Sequence, residues 1–189
     1  MSMWQGWGMA DGLHAMVFVD NHDNQRTDGG VLTAQNNDYH YKLGAGFMLA
    51  HDYGFKRVMC SYSFNNNDQV MIIVMMMIKG MIMMMRYFIQ GPPGNAPASG
   101  ACGSGWMCEH RWSSIANMVK FANAVVGTGV ENWQAGYNYL GFSRGNKGFF
   151  AMGDLNKEFY TGMPDGEYCD IIHDCQNKVR VGETQLVVI

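Results

Sequence analysis

Two short apolar runs flanking an amphipathic stretch limit what the first third of this chain can become. Ala15 to Val19, AMVFV, is continuously apolar and stops abruptly at DNHDNQR. That is the pattern of a buried parallel strand delivering polar groups at its C-terminal end. Across Asp38 to His51, DYHYKLGAGFMLAH, residues Tyr39, Leu43, Phe47 and Ala50 recur at helical spacing, with Asp38 placed as N-cap. Arg57 to Tyr62 then reads as a second buried strand. Strand, helix and strand in that order predict a βαβ unit with a right-handed crossover.

The remainder changes character. The Pro/Gly/Ser-rich GPPGNAPASGACGSG is loop, and Ser113 to Val126 then places Ile115, Met118, Val119, Ala122 and Val125 or Val126 on one helical face, stopped by Gly127. From Val130 onward, short runs such as YLGFSRG, KGFFAMGD and VRVGETQLVVI are punctuated by Gly, Asn and Asp, the rhythm of an antiparallel β domain. A chain of 189 residues, 48% of them apolar, can bury one substantial core and at most a small second one. Its formal net charge of −3, with no Lys/Arg run, gives no electrostatic footprint for nucleic acid.

Five cysteines fall as Cys60, then Cys102 with Cys108, then Cys169 with Cys175. Disulfides, free thiols and a metal site are the three readings. The spacing lacks the CxxC of zinc or redox chemistry, and Gly-rich or polar surroundings favour two small disulfide loops, so no metal site is expected. Disulfides imply an oxidising compartment. The N-terminal MSMWQGWGMADGLHA nevertheless has no basic segment followed by an apolar one, and so reads as carrying no signal peptide.

FVDNHDNQR at Phe18 to Arg26 resembles the fourth sequence region of animal-type α-amylases of glycoside hydrolase family 13. YKLGAGFMLAHDYGFKRVMCSY at Tyr41 to Tyr62 is similar to that family's helix 7 and strand 8, and CEHRW at Cys108 to Trp112 to the start of its helix 8. GFSRGNKGF and MPDGEYCDII are similar to its C-terminal β domain. The resemblance implies an α/β class. Residues 1–128 would be part of a (β/α)8 TIM barrel, strands 7 and 8 with helices 7 and 8, and 129–189 a truncated antiparallel all-β domain. It also implies endohydrolysis of α-1,4 bonds in starch and glycogen, a secreted monomer acting on α-glucans, calcium and chloride as cofactors, and no membrane.

Site roles follow residue by residue. Asp23 matches the carboxylate that stabilises the distorted sugar in the transition state, and His22 the histidine that hydrogen-bonds the same sugar. Asn21 and Arg57 match two chloride ligands, an anion that helps keep the general acid protonated. Read without the resemblance, DNHD is equally an Asx-rich turn, and Arg57 a partner in an ion pair with Asp20 or Asp23. His110 and His173 read as solvated or structural, and Trp106, Trp112 and Trp133 as core or loop anchors.

Retaining glycosidases need a nucleophile and an acid/base about 5 Å apart. Both come from family segments with no counterpart here, as do the calcium ligands, so the chain alone is expected to be inactive. The alternatives are a non-catalytic glucan-binding remnant or an unstable product of a faulty gene assembly. The latter thought comes from Val70 to Gln90, VMIIVMMMIKGMIMMMRYFIQ, which holds eight of the chain's 18 methionines. Lys79 and Arg86 interrupt it too centrally for a membrane span. Val and Gln codons fit a GT to AG frame around AT-rich codons, so this segment reads as a translated intron.

Overall fold

The computed structural model describes residues 8–26, 30–64, 77–78, 81–82, 102, 105–182 and 186–188, with 77–78, 81–82 and 186–188 as backbone alone. Strand β1 (Met16–Val17), helix α1 (Asp38–Ala50) and strand β2 (Phe55–Lys56) follow one another, and β1 pairs β2 in parallel with Met16 opposite Phe55 and Val17 opposite Lys56. This is the expected strand, helix, strand order. Parallel neighbours cannot be joined by a tight turn, and α1 is the crossover that joins these two. At the turn into β2, Gly54 has φ +74°, and a Cβ there would sit 2.8 Å from the Val17 side chain. Only glycine lets that turn close onto β1.

Three expectations shift in register. Asn37, not Asp38, caps α1, its side chain accepting from the His40 amide, while Asp38 is the first helical residue and pairs with Lys42 at 2.9 Å. The buried face of α1 runs through Tyr41, Ala45, Met48, Leu49 and Ala50, and Tyr39 points outward. The helix is covered from more than one side, so a single four-residue stripe underestimates what it buries. The second strand begins two residues before the expected Arg57, and residues 61–63 turn instead onto 105–107. There the Met107 amide donates to the Ser61 carbonyl at 2.9 Å and the Ser63 amide to the Gly105 carbonyl at 2.7 Å. The parallel pair is also not buried on both faces: Val17 and Val19 pack against the core, whereas Met16, Phe18 and Phe55 remain exposed.

Of the methionine-rich segment, β3 (Met77–Ile78) and β4 (Met81–Ile82) form an antiparallel pair. The reading of 70–90 as an insert otherwise falls outside the described residues. Helix α2 (Ser113–Ala124) buries Ile115, Met118 and Phe121, with Val125 at its C-cap, and Val119, expected on that face, is exposed. Asn117 is buried too, because its amide donates to Asp174 at 2.8 Å and ties α2 to the turn at Ile171–His173.

Strands β5 (Val130–Ala135), β6 (Tyr139–Arg144) and β7 (Gly148–Gly153) form one antiparallel sheet. Strands β8 (Glu158–Tyr160), β9 (Gly166–Cys169), β10 (Lys178–Val181) and β11 (Leu186–Val188) form a second, in the order β8-β11-β10-β9. The antiparallel reading of the C-terminal part holds. Phe142 and Phe150 of the first sheet lie in the same apolar cluster as the buried faces of α1 and α2, and Phe159, Met163 and Val181 make a smaller cluster beside it. Contact between α2 and β7 is tight enough that a Cβ on Gly148 would come within 2.6 Å of the Phe121 ring.

Arg144, at the end of β6, is buried, and it binds the ends of both helices. Its guanidinium donates to the Ala50 carbonyl at 2.6 Å, to Thr128 at 2.7 and 3.2 Å, and to Val125 at 3.5 Å. A cation at two helix C-termini satisfies orphan carbonyls and meets the negative ends of both dipoles. His51 beside it takes the Tyr53 amide on Nδ1 and lies 3.1 Å from Asp52 Oδ1, and burial, against the Asp52 charge, holds the ring below its ordinary pKa. We expect Arg144→Met to cost about 3 kcal/mol, because it strands several buried carbonyls. Arg144→Lys should recover only part of that loss. Urea unfolding followed by tryptophan fluorescence measures both, and a change in the methionine variant below about 0.5 kcal/mol would refute the role.

Candidate active-site edge and buried carboxylates

Because β1 and β2 are parallel, their C-terminal ends open on the same side of the sheet, where α/β proteins gather functional groups. Asn21, His22 and Asp23 follow β1, and Arg57 follows β2 with its amide donating to the Val17 carbonyl at 2.8 Å. The DNHD segment is an Asx turn. The Asn21 side-chain oxygen accepts from the amides of Asp23 at 3.0 Å and Asn24 at 2.8 Å, and Asn24 returns the favour by accepting from the Asn21 amide at 2.7 Å. This arrangement commits Asn21 Oδ1 to the backbone and leaves its Nδ2 as the donor available to an anion.

His22 Nε2 and Asp23 Oδ1 are 3.3 Å apart, with both side chains 81% exposed. A carboxylate in that setting can grip a polyol but has no low-dielectric surroundings to strengthen it. Arg57 is exposed, and among the described residues it makes no ion pair with Asp20 or Asp23. A guanidinium and a carboxamide N–H are both hydrogen-bond donors, a donor chemistry that fits an anion such as chloride. The three tryptophans act as ring anchors: Trp106 on Tyr62, Trp112 on Tyr41 and Trp133 stacked on Phe142 at 5.5 Å. His173 is bound to Asp170, and His110 is exposed.

Both expected disulfides are present, Cys102–Cys108 and Cys169–Cys175, with Cα separations of 5.7 and 4.8 Å, and Cys60 is a free thiol. Among the described residues the one group of three metal-capable side chains is Cys60, Cys108 and His110, within 4.8 Å of one another. Cys108 is already disulfide-bonded, so it supplies no thiolate, and sulfur-rich ligands do not suit calcium. A cleft of about 370 Å³ lies elsewhere, between α2 and the C-terminal sheets. Its walls include Met118, Phe121, Phe149, Phe150 and Val181, and it lies apart from the DNHD edge.

Directly behind that edge, sequence reasoning missed a buried polar cluster. Asp20, Tyr41, Ser61 and Glu109 are each at most 3% exposed. Glu109 Oε2 accepts from the Ser61 amide at 2.8 Å, but Glu109 Oε1, Ser61 Oγ and both Asp20 oxygens make no hydrogen bond of normal geometry. Burial first, and the Glu109 charge second, push the Asp20 carboxyl from 3.8 up to about 6, against a smaller pull from the nearby Tyr41 hydroxyl. Burial and the Asp20 charge likewise drive the Tyr41 phenol well above its ordinary range. A run of four polar letters gives no sign of which one turns inward.

A carboxyl raised on folding binds its proton more tightly in the native state. Its stabilisation is therefore complete below the unfolded value of 3.8 and lost as pH climbs to about 6. Asp20→Asn cannot titrate. Its stability relative to the parent chain should thus rise across that window and level off above it, as read from urea midpoints against pH. A difference that does not vary with pH would show that Asp20 keeps its ordinary pKa.

Comparison with known proteins places these features in a family. Residues 131–188 match the family model described as "Alpha amylase, C-terminal all-beta domain". The α-amylase of Tribolium castaneum is 46% identical over 88% of this chain and 32% of its own length, and pancreatic alpha-amylase 2a5 of Mus musculus 42% over 89% and 34%. The crystal structure of wild-type α-amylase I from Eisenia fetida superposes with a TM-score of 0.70 at 32% identity, covering 97% of this chain and 40% of that one. A complex of a point mutant of that enzyme with maltohexaose gives 0.72 at 31%, over 98% and 40%. The chain spans about a third of the length of the curated relatives it matches. An antiparallel C-terminal domain packed on a parallel strand, helix, strand unit, and matches that cross both, make this chain similar over most of its length to animal α-amylases.

Proposed function

We propose that this chain is the glucan-gripping and chloride-holding edge of an α-amylase that endohydrolyses internal α-1,4 bonds of starch and glycogen with retention. The observation that carries the reading is the parallel β1–β2 pair with DNHD and Arg57 at one end of it. Residues 1–128 form part of a (β/α)8 barrel and 129–189 its β domain. The exposed row of Met16, Phe18 and Phe55 is the face such a barrel would cover. Segment 70–90 is an extra insert in this arrangement.

Asp23 would favour the oxocarbenium-like sugar electrostatically, and His22 would donate to a hydroxyl of the same ring. Asn21 Nδ2 and the Arg57 guanidinium would hold chloride, which supplies negative charge that keeps a nearby general acid protonated at neutral pH. Among the described residues no side-chain group suits calcium, and no step here depends on that ion. The enzyme would act outside the cell as a monomer on α-glucans, as the disulfides favour. Among the described residues, no helix is long and apolar enough to cross a membrane.

With His22 and Asp23 open to solvent and neither bond-breaking carboxylate assigned to this chain, the chain alone should release no reducing sugar from soluble starch above a blank. It should still bind maltohexaose weakly, and Asp23→Asn should weaken that binding, read by chemical shifts of the His22 ring. Measurable hydrolysis would overturn the division of labour. Unchanged affinity in the Asp23 variant would overturn the assignment of the sugar-gripping residue.

A further inference from the structure

The fifth cysteine, Cys60, is a half-buried free thiol. Cys60 Sγ lies 3.5 Å from Cys108 Sγ, the sulfur already bonded to Cys102. The chain on either side is clamped. The Ser61 amide donates to Glu109 Oε2 at 2.8 Å, the Met107 amide to the Ser61 carbonyl at 2.9 Å, and the Cys102 amide to the Trp106 carbonyl at 3.1 Å. Three sulfurs are thus held together by backbone ladders on both sides of Cys108. A thiol poised against a disulfide sulfur has the elements of thiol–disulfide exchange, which proceeds by thiolate attack on that sulfur.

We propose that Cys60, Cys102 and Cys108 form an intramolecular sulfur-exchange centre with two disulfide isomers, and that Cys102 is the thiol it exposes for covalent modification. Cys60 gives its proton to solvent base, and its thiolate electron pair forms the new bond to Cys108 Sγ. The Cys102–Cys108 bond breaks, its electrons leave on Cys102 Sγ, and that sulfur takes up a proton. One disulfide and one thiol become another disulfide and another thiol, so no external oxidant or reductant enters. The isomer that forms, Cys60–Cys108, ties residue 60, in the segment after β2, to the turn at Glu109–Arg111 and releases residue 102. A released Cys102 thiol is open to soft electrophiles such as maleimides, or to mixed-disulfide formation with a small disulfide.

Groups around Cys60 set the speed. Burial raises its pKa most, the Cys108 amide pulls it partly back, and smaller pushes from the Glu109 charge upward and the Arg111 guanidinium downward follow, with the His110 ring and Tyr41 phenol completing the surroundings. The net effect is a reluctant thiolate at neutral pH. Exchange should therefore accelerate about tenfold per pH unit below the thiol pKa, following the thiolate fraction.

The test is a disulfide map. The oxidised full chain is held at neutral or mildly alkaline pH, quenched in acid, alkylated with N-ethylmaleimide, digested without reduction and analysed by mass spectrometry. The expected result is two populations, one with Cys60 alkylated and one with Cys102 alkylated beside a Cys60–Cys108 bridge, the second growing faster at higher pH. Cys60→Ser should abolish alkylation of Cys102, and Cys102→Ser should close Cys60–Cys108 on air oxidation. The Cys169–Cys175 bridge serves as internal control for an intact fold. Alkylation of Cys60 alone at every pH would overturn the proposal. So would Cys102 labelling that persists in the Cys60 variant, labelling of Cys169 or Cys175 in step with Cys102, or a Cys102 variant whose Cys60 and Cys108 stay unpaired while Cys169–Cys175 forms.

Discussion

The hydrogen bonds of one guanidinium hold the two halves of this molecule in place. Arg144 ends a strand of the first antiparallel sheet, yet its donors reach the last carbonyls of α1 and the C-cap of α2. Each helix C-terminus leaves carbonyls that must find a partner or water. Burying both ends under a sheet excludes water, so a multidentate cation is one of few groups that can serve them together. With those ends fixed, α1 and α2 lie against each other and against Phe142 and Phe150, and the His51 and Asp52 contacts to Tyr53 and Val130 follow.

The same constraint positions the chemistry at the opposite end of α1. A helix locked at its C-terminus aims its first buried turn, Tyr41, beneath the loop that leaves β1, where Asp20 is buried and half-buried Asn21 turns its side-chain oxygen back onto the loop backbone. The inward carboxyl shares its low-dielectric surroundings with Glu109 and is driven toward its neutral form. Two acids three residues apart thus have different fates: Asp20 is protonation-sensitive structure and Asp23 a solvent-facing carboxyl.

Much of this was legible in the sequence, because apolar runs with opposite periodicities mark elements of opposite type. AMVFV before a polar cluster identified a parallel strand, and SSIANMVKFANAVV a helix that exists almost to the residue. FVDNHDNQR identified the family. Register was less legible: Tyr39 and Tyr41 differ by two letters and by the whole width of the protein surface, and only the packing of α1 against several neighbours decides between them. Asn37 and Asp38 are both competent caps, and the backbone of the preceding loop selects the first. Arg144 and Cys60 were invisible as special residues, since each is defined by partners at least 16 positions away.

The apolar cluster that joins Phe142 and Phe150 to α1 and α2 bears on how such a protein is made on the ribosome. The region matched by the all-β family model begins at residue 131, but the inner faces of its first sheet are completed by side chains from helices synthesised before it. Strands β5 to β7 emerge after both helices and find a prepared apolar surface waiting for them. Nascent-chain order thereby favours docking over free collapse of the sheet. The start of the family match at residue 131 is a seam in sequence comparison, while the apolar cluster runs straight across it.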